Sequence, residues 1–177
     1  MAPGEPTIRA AGADDALAIA VAHVRSWRSA YRGLIAQEVL DALDPQERAA
    51  RYVFDRSLPD GPYTLIAEAA GTVLAHVTVG RSSEDPSLGE VWSLYVDPGH
   101  WRPGTGRALL RAGSSALAAA GFDAAVLWVL EGNTKASSFY EADGWRADGR
   151  RRTVEIGDAA VSELCFRRML DDPRLWR

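Results

Sequence analysis

Cysteine is almost absent: Cys165 is the only one in 177 residues. An intramolecular disulfide is therefore excluded, which suits a chain that folds in a reducing compartment. Cys165 falls in an apolar run and reads as a small buried residue rather than a nucleophile. With three histidines and no grouped cysteines, the spacings of zinc and related centres are missing, so no metal is expected. No apolar run approaches the ~18 residues that a membrane span needs. The N-terminus also lacks the charged-then-apolar layout of a secretory signal. The cytoplasm is the expected location, without a membrane partner. A basic surplus is missing too: the net charge is −4, which argues against non-specific nucleic-acid binding. No Gly-x-Ser-x-Gly elbow occurs, and no nucleophilic triad is evident.

What is present is an average soluble composition, 47% hydrophobic and 25% charged, with enough apolar residues to bury a core without staples. One domain over residues 1–177 is expected, with its core at about 5–170. Thr7 to Ala10 reads as a strand. Asp14 or Asp15 can cap a helix through about Ala30, and a second helix begins near Ala36. Asp44-Pro45-Gln46-Glu47 starts a helix that runs to about Arg56, with Asp at the cap, Pro at the first position and Glu at the third. Tyr63–Ala69 and Val73–Arg81 form a hairpin around Ala70-Gly71. Glu90–Val96, Ala124–Leu130, Trp145–Arg152 and Val161–Met169 are strands; Thr105–Ala120 and Lys135–Ala142 are helices. The order β-α-α-β-β-β-α-β-α-β-β is that of a mixed α/β sheet. Arg150, Arg151 and Arg152 read as a solvated turn or a local basic patch.

The most informative segment runs from Leu94 to Leu110, where an apolar strand passes through a Gly-rich turn straight into an amphipathic helix. The first N–H groups of such a helix have no intrahelical acceptor, and the dipole adds positive charge at the same end. Phosphate suits that arrangement. Gly104 and Gly106 would let the backbone approach it, and Arg102 and Arg107 would add charged contacts. Arg107-Ala108 after Gly106 and Leu109 in place of a third Gly separate this loop from the two best-known phosphate loops.

Val96-Asp97-Pro98, an aromatic, Arg102, Gly104-Thr105-Gly106 and Arg107-Ala108-Leu109-Leu110 resemble the acetyl-CoA pyrophosphate loop of the GNAT superfamily of N-acetyltransferases. Trp101 stands where that pattern has Arg or Gln. Asn133-Thr134-Lys135-Ala136-Ser137-Ser138-Phe139-Tyr140, followed by Gly144-Trp145, resembles a second family segment, in the family's order and at its usual separation. The stretch Ser26-Trp27-Arg28-Ser29-Ala30-Tyr31-Arg32-Gly33-Leu34 is similar to the first-helix signature of a subgroup. The resemblance implies a mostly antiparallel sheet flanked by helices, with two neighbouring strands splayed to admit acyl-CoA. It implies an enzyme that transfers acetyl from acetyl-CoA to an amine by direct attack in a ternary complex. A non-catalytic acyl-CoA-binding or sensory domain, and a transferase acting on a protein N-terminus or aminoacyl-tRNA, are the alternatives.

The resemblance assigns donor binding to Leu94, Tyr95, Val96, Arg102, Pro103, Gly104, Thr105, Gly106, Arg107, Asn133 and Tyr140. Backbone groups of Leu94 and Val96 would meet the acyl and pantetheine portion, and a Val96 N–H aimed at the thioester oxygen would stabilise an oxyanion. Tyr140 would protonate the departing sulfur, or else close a helix onto the sheet. Asn133 would bond the pantetheine arm or cap its helix. Among the residues themselves, Glu90 is the candidate base. Period-2 alternation puts it on one face with Trp92 and Leu94, and it can equally be a solvated strand-end carboxylate. His76 can serve instead, or be a hydrogen-bonded sheet histidine. Asp97, before Pro98, shapes the turn. Trp27 and Tyr31, four apart on one helical face, and Trp92 are candidates for the acceptor site, where aromatics suit a cationic or apolar amine; core packing is the other reading. The expected partner is a small amine or a peptide N-terminus, and exposed edge strands near the C-terminus could pair in a homodimer.

Overall fold

The computed structural model describes residues 6–54, 58–59, 61–100 and 104–170. In chain order the strands are β1 Thr7–Ala10, β2 Tyr63–Ala69, β3 Thr72–Arg81, β4 Gly89–Val96, β5 Ala124–Leu130, β6 Arg146–Ile156 and β7 Ala159–Met169. The helices are α1 Ala16–Ala30, α2 Gln37–Asp41, α3 Pro45–Ala49, α4 Thr105–Ala119 and α5 Thr134–Ala142. The strands form one sheet in the order β1-β2-β3-β4-β5-β7-β6. Every neighbouring pair is antiparallel except β4 and β5, which run parallel. Three helices, not two, lie between β1 and β2. No helix among the described residues is long and apolar enough to cross a membrane.

Several elements follow from local chemistry. Asp44 caps α3, its carboxylate accepting from the backbone N–H of Gln46 at 2.7 Å and Glu47 at 2.9 Å. Ala70 and Gly71 both have positive φ, 49° and 76°, which is the two-residue turn whose twist matches a tight hairpin. The α3 helix stops at Ala49, short of the expected end. Its continuation instead carries Tyr52 and Phe54 onto the small cluster of Ile19, Ile66 and Val73. Arg56 lies outside the described residues. Asp15 occupies the N-cap position of α1 without a capping bond. Its carboxylate is taken by the Gly12 N–H at 2.8 Å and by Arg9 at 2.8 Å.

One face of the sheet is covered by α4, whose Leu109, Leu110 and Leu117 are fully buried against Val77, Val79 and Val91. The other face receives α1. There His23 lies against Tyr95 and His76, with ring centroids 4.4 and 5.6 Å away. The result is three layers, with the sheet between helices. The arginine cluster is not a turn: Arg150, Arg151 and Arg152 belong to β6 and each is ion-paired, with Asp148, Glu131 and Glu163 respectively. Cys165 is buried, as its apolar setting suggests, and burial pushes its thiol pKa up to about 12.

Two irregularities in the middle of the sheet matter most. The β4–β5 pairing lasts for only three residue pairs, Gly89 with Ala125, Glu90 with Val126 and Val91 with Leu127. Beyond them β4 continues to Val96 and β5 to Leu130 without pairing to each other. At the same level Val79 of β3 faces Val91 while Thr78 faces Ser93, so β4 carries one extra residue there. Such a bulge bends the strand and raises its twist.

Candidate functional site

The gap between the diverging strands opens as a cleft of about 660 Å³. Its walls are β4 from Val91 to Val96 and β5 from Leu127 to Leu130. Gly104, Gly106 and Arg107 line one end, and Asn133, Phe139 and Tyr140 of the α5 segment line another part. The Asp97 N–H donates to Leu74 of β3 at 2.8 Å. Backbone groups two residues apart point the same way along a strand, so those of Leu94 and Val96 point away from β3, toward the gap. The Val96 carbonyl is taken by the Ser26 hydroxyl at 2.7 Å.

The start of α4 has the form expected of an anion site. Gly104 sits at its N-cap with φ 94°, a left-handed conformation that a side chain would strain. No side chain caps the helix. The first helical bond is Ala108 N–H to Gly104 at 2.8 Å, so the N–H groups of Thr105, Gly106 and Arg107 have no acceptor within the helix. Gly106 lines the cleft and also has a packing part. A Cβ there would meet Val96 Cγ2 at 3.3 Å and the Phe139 ring at 3.6 Å, so its smallness serves the contact between α4, β4 and α5. Thr105 is buried and does not line the cleft. Arg107 lines it, with its guanidinium Nε 3.5 Å from Asp143, the carboxylate that also holds the buried Arg168 at 2.8 Å. Trp101, Arg102 and Pro103 lie outside the described residues. Asp97 shapes the preceding turn as expected, accepting from the Gly99 N–H at 2.9 Å and pairing with Arg25 at 3.1 Å.

Tyr140 is half-buried, its ring within 6.4 Å of Phe139, Trp145 and Phe166. Burial raises its phenol pKa, and Tyr95 raises it further. Asn133 caps α5 through its side-chain oxygen, 3.1 Å from the Ala136 N–H, while also facing the cleft.

A second, smaller cavity of about 80 Å³ lies beside the cleft. Tyr31, Val91, Trp92, Tyr95, Trp128 and Leu130 line both, so the two meet where β4 and β5 separate. The smaller one adds Trp27, Glu90, Arg152 and Glu163. All three aromatic candidates of the sequence, Trp27, Tyr31 and Trp92, are therefore together. Trp27 and Tyr31 meet edge to face at 5.0 Å.

Glu90 shares this cavity with Trp92, but not with Leu94. The extra residue at the bulge reverses the alternation, and Leu94 packs in the core cluster under α4. Glu90 is 6% exposed, and its Oε2 has no hydrogen-bond partner among the described residues. Burial raises its pKa above the usual glutamate range, against the lowering pull of Ser82 and Arg152. His76 is no base in waiting. It is fully buried beneath Tyr52, His23 and Tyr95, and burial lowers its pKa to about 3. Neither ring nitrogen has a hydrogen-bond partner among the described residues, so the hydrogen-bonded alternative also fails. Sequence reasoning missed Tyr95 as a member of the smaller cavity, and Trp128, Arg152 and Glu163 with it. The β5–β7 and β6–β7 registers, which place Trp128 beside Cys165 and Arg152 beside Glu163, carry no local signal. No group of residues able to hold a metal ion occurs among the described residues.

Residues 23–145 match the family described as Acetyltransferase (GNAT) family. The chain is 33% identical over 138 residues to the uncharacterized N-acetyltransferase YuaI of Bacillus subtilis (strain 168), covering 77% of this chain and 78% of that one. Among solved structures it is similar in fold to the PaiA N-acetyltransferase of Thermoplasma acidophilum in complex with coenzyme A. That match has a TM-score of 0.74 at 18% identity, over 94% of this chain and 99% of that one. It is likewise similar to yncA of Salmonella typhimurium, solved with its cofactor acetyl-CoA, with a TM-score of 0.69 at 23% identity over 96% of each chain.

Proposed function

The chain belongs to the acetyltransferase (GNAT) family, and on that premise we propose that it moves the acetyl group of acetyl-CoA directly to an amine within a ternary complex. The observation that carries this reading is the junction of two cavities, with Tyr140 lining one and Glu90 the other. The donor suits the larger. Its pyrophosphate would meet the N–H groups at the start of α4, and its pantetheine arm the backbone of Leu94 and Val96 and the Asn133 side chain. Arg107 would add charge at the same end. The acceptor amine suits the smaller cavity.

In this scheme Glu90 takes a proton from the ammonium, directly or through water, so that the nitrogen lone pair can attack the thioester carbonyl. The raised pKa of Glu90 makes it a better base than an exposed carboxylate. The Val96 N–H, on the gap side of β4, donates to the carbonyl oxygen as it gains charge. The C–N bond forms, the C–S bond breaks, the Tyr140 hydroxyl gives its proton to the sulfur, and the second proton that the nitrogen sheds on becoming an amide passes through solvent to restore the Tyr140 phenol. Burial keeps that phenol protonated through the neutral range and also makes a bare thiolate costly, so the proton moves as the C–S bond breaks. Cys165 lines neither cavity, so its thiol is not positioned as a covalent acetyl carrier.

Calorimetric titration with acetyl-CoA, with adenosine diphosphate as control, tests the donor site, and thiol release over a panel of amines tests turnover. Micromolar binding that needs the pantetheine arm, with release on at least one amine, is expected. Binding without release on any amine would favour a non-catalytic acyl-CoA-binding domain, and no binding would overturn the reading.

A further inference from the structure

The smaller cavity is unusually aromatic and carries an unbalanced negative charge. Trp27, Tyr31, Trp92, Tyr95 and Trp128 surround it. Such faces attract an ammonium and hold an apolar body equally well. Its charged members are Glu90, Glu163 and Arg152. Arg152 is already committed. Its Nε donates to Glu163 at 2.7 Å, its Nη1 reaches Glu84 at 3.2 Å, and its guanidinium lies 4.3 Å over the Trp128 ring. Two carboxylates thus hold the one cation, while Glu90 remains buried with an oxygen that no described group satisfies. A buried polar atom without a partner is costly, and a cationic N–H donor entering from the cavity would relieve it.

Two consequences follow for the acceptor. An ammonium is drawn to Glu90. A carboxylate on the carbon beside the amine would sit in a cavity of only about 80 Å³ facing Glu90 and Glu163, with the local cation occupied. Like charges so placed discriminate against such a partner.

Resting on the function proposed above, we infer that the acceptor is a primary amine with an apolar body and no carboxylate on the carbon beside the nitrogen, not a free α-amino acid. Glu163, by holding Arg152, is the residue that denies a carboxylate its counter-ion.

The test compares n-pentylamine, L-norleucine and L-norleucinamide, which differ only at that carbon, by thiol release at saturating acetyl-CoA. The expected result is a kcat/KM at least tenfold above that of norleucine for both pentylamine and norleucinamide, whose substituent is uncharged. Equal or better use of norleucine overturns the acceptor class, as does a norleucinamide value as low as that of norleucine, or no turnover of pentylamine by protein that binds acetyl-CoA. Absence of acetyl-CoA binding, measured separately by calorimetry, overturns the donor reading and this inference together. In Glu163→Gln the released Arg152 should raise the norleucine-to-pentylamine ratio at least threefold. An unchanged ratio removes Glu163 from the account of the discrimination.

Discussion

Glu90 and Leu94 lie four residues apart on β4 and leave it on opposite faces, Glu90 into the smaller cavity and Leu94 into the core under α4. A regular strand would put both on one face. The bulge between them separates the carboxylate from the packing side and begins where the β4–β5 pairing ends. If Glu90 is the base, Glu90→Gln should lower kcat/KM by roughly 10²-fold. In the parent protein the rate should fall as pH drops through the Glu90 pKa, which burial has raised, because only the ionised form accepts a proton. A pH profile of the variant should lose that limb. A limb that survives unchanged assigns the titration to another group.

Tyr140→Phe removes the hydroxyl and keeps the ring among Phe139, Trp145 and Phe166. Turnover should fall by about 10²-fold with acetyl-CoA affinity nearly unchanged. Equal losses in turnover and binding would indicate packing rather than proton donation.

Gly104 and Gly106 should fail for different reasons when enlarged. Gly104→Ala meets no atom within 4 Å but must hold φ 94°, at a cost of about 1–2 kcal/mol. Gly106→Val pushes against Val96 and Phe139, which line the cleft. Both variants are expected to remain folded and to bind acetyl-CoA at least tenfold more weakly by calorimetry. Undiminished affinity in either folded variant would refute its place in the donor site.

The buried histidines predict acid sensitivity. Burial lowers the pKa of His23 to about 2 and of His76 to about 3. In the unfolded chain both titrate near 6.5, so below that pH the unfolded state binds more protons and stability falls as pH falls. Each histidine costs up to about 1.4 kcal/mol per pH unit in this range, or about 3 kcal/mol for the pair between pH 6.5 and 5. Urea unfolding at pH 7 and pH 5 measures the loss, and His76→Leu should remove about half of it. A variant with the full loss would show that His76 is not held neutral.

Much of this architecture was legible where a local rule governs. The Asp44-Pro45 cap, the Ala70-Gly71 turn and the bounds of β5 depend on a few neighbouring residues, and the structure has each as expected. The phosphate-loop reading of Gly104 rests on a backbone angle that glycine favours. The face of Leu94 was illegible because one residue's slip against β3 decides it, and no residue type marks that slip. Arg150 to Arg152 looked like a solvated turn because the ion-pair partners of Arg151 and Arg152, Glu131 and Glu163, come from distant parts of the chain. The start of α4, built on a local turn, was legible in outline. The smaller cavity, to which β5, β6 and β7 all contribute, was legible only through Trp27, Tyr31, Glu90 and Trp92.

The strand order ends on β1 and β6, yet the sheet has four edges, because β4 beyond Val91 and β5 beyond Leu127 expose inner ones. An open strand edge invites another polypeptide to dock. Here Ser26, Tyr31, Asn133 and Phe139 line the cleft beside those inner edges. An occupant that paired with both of them would splice the two halves of the sheet into one.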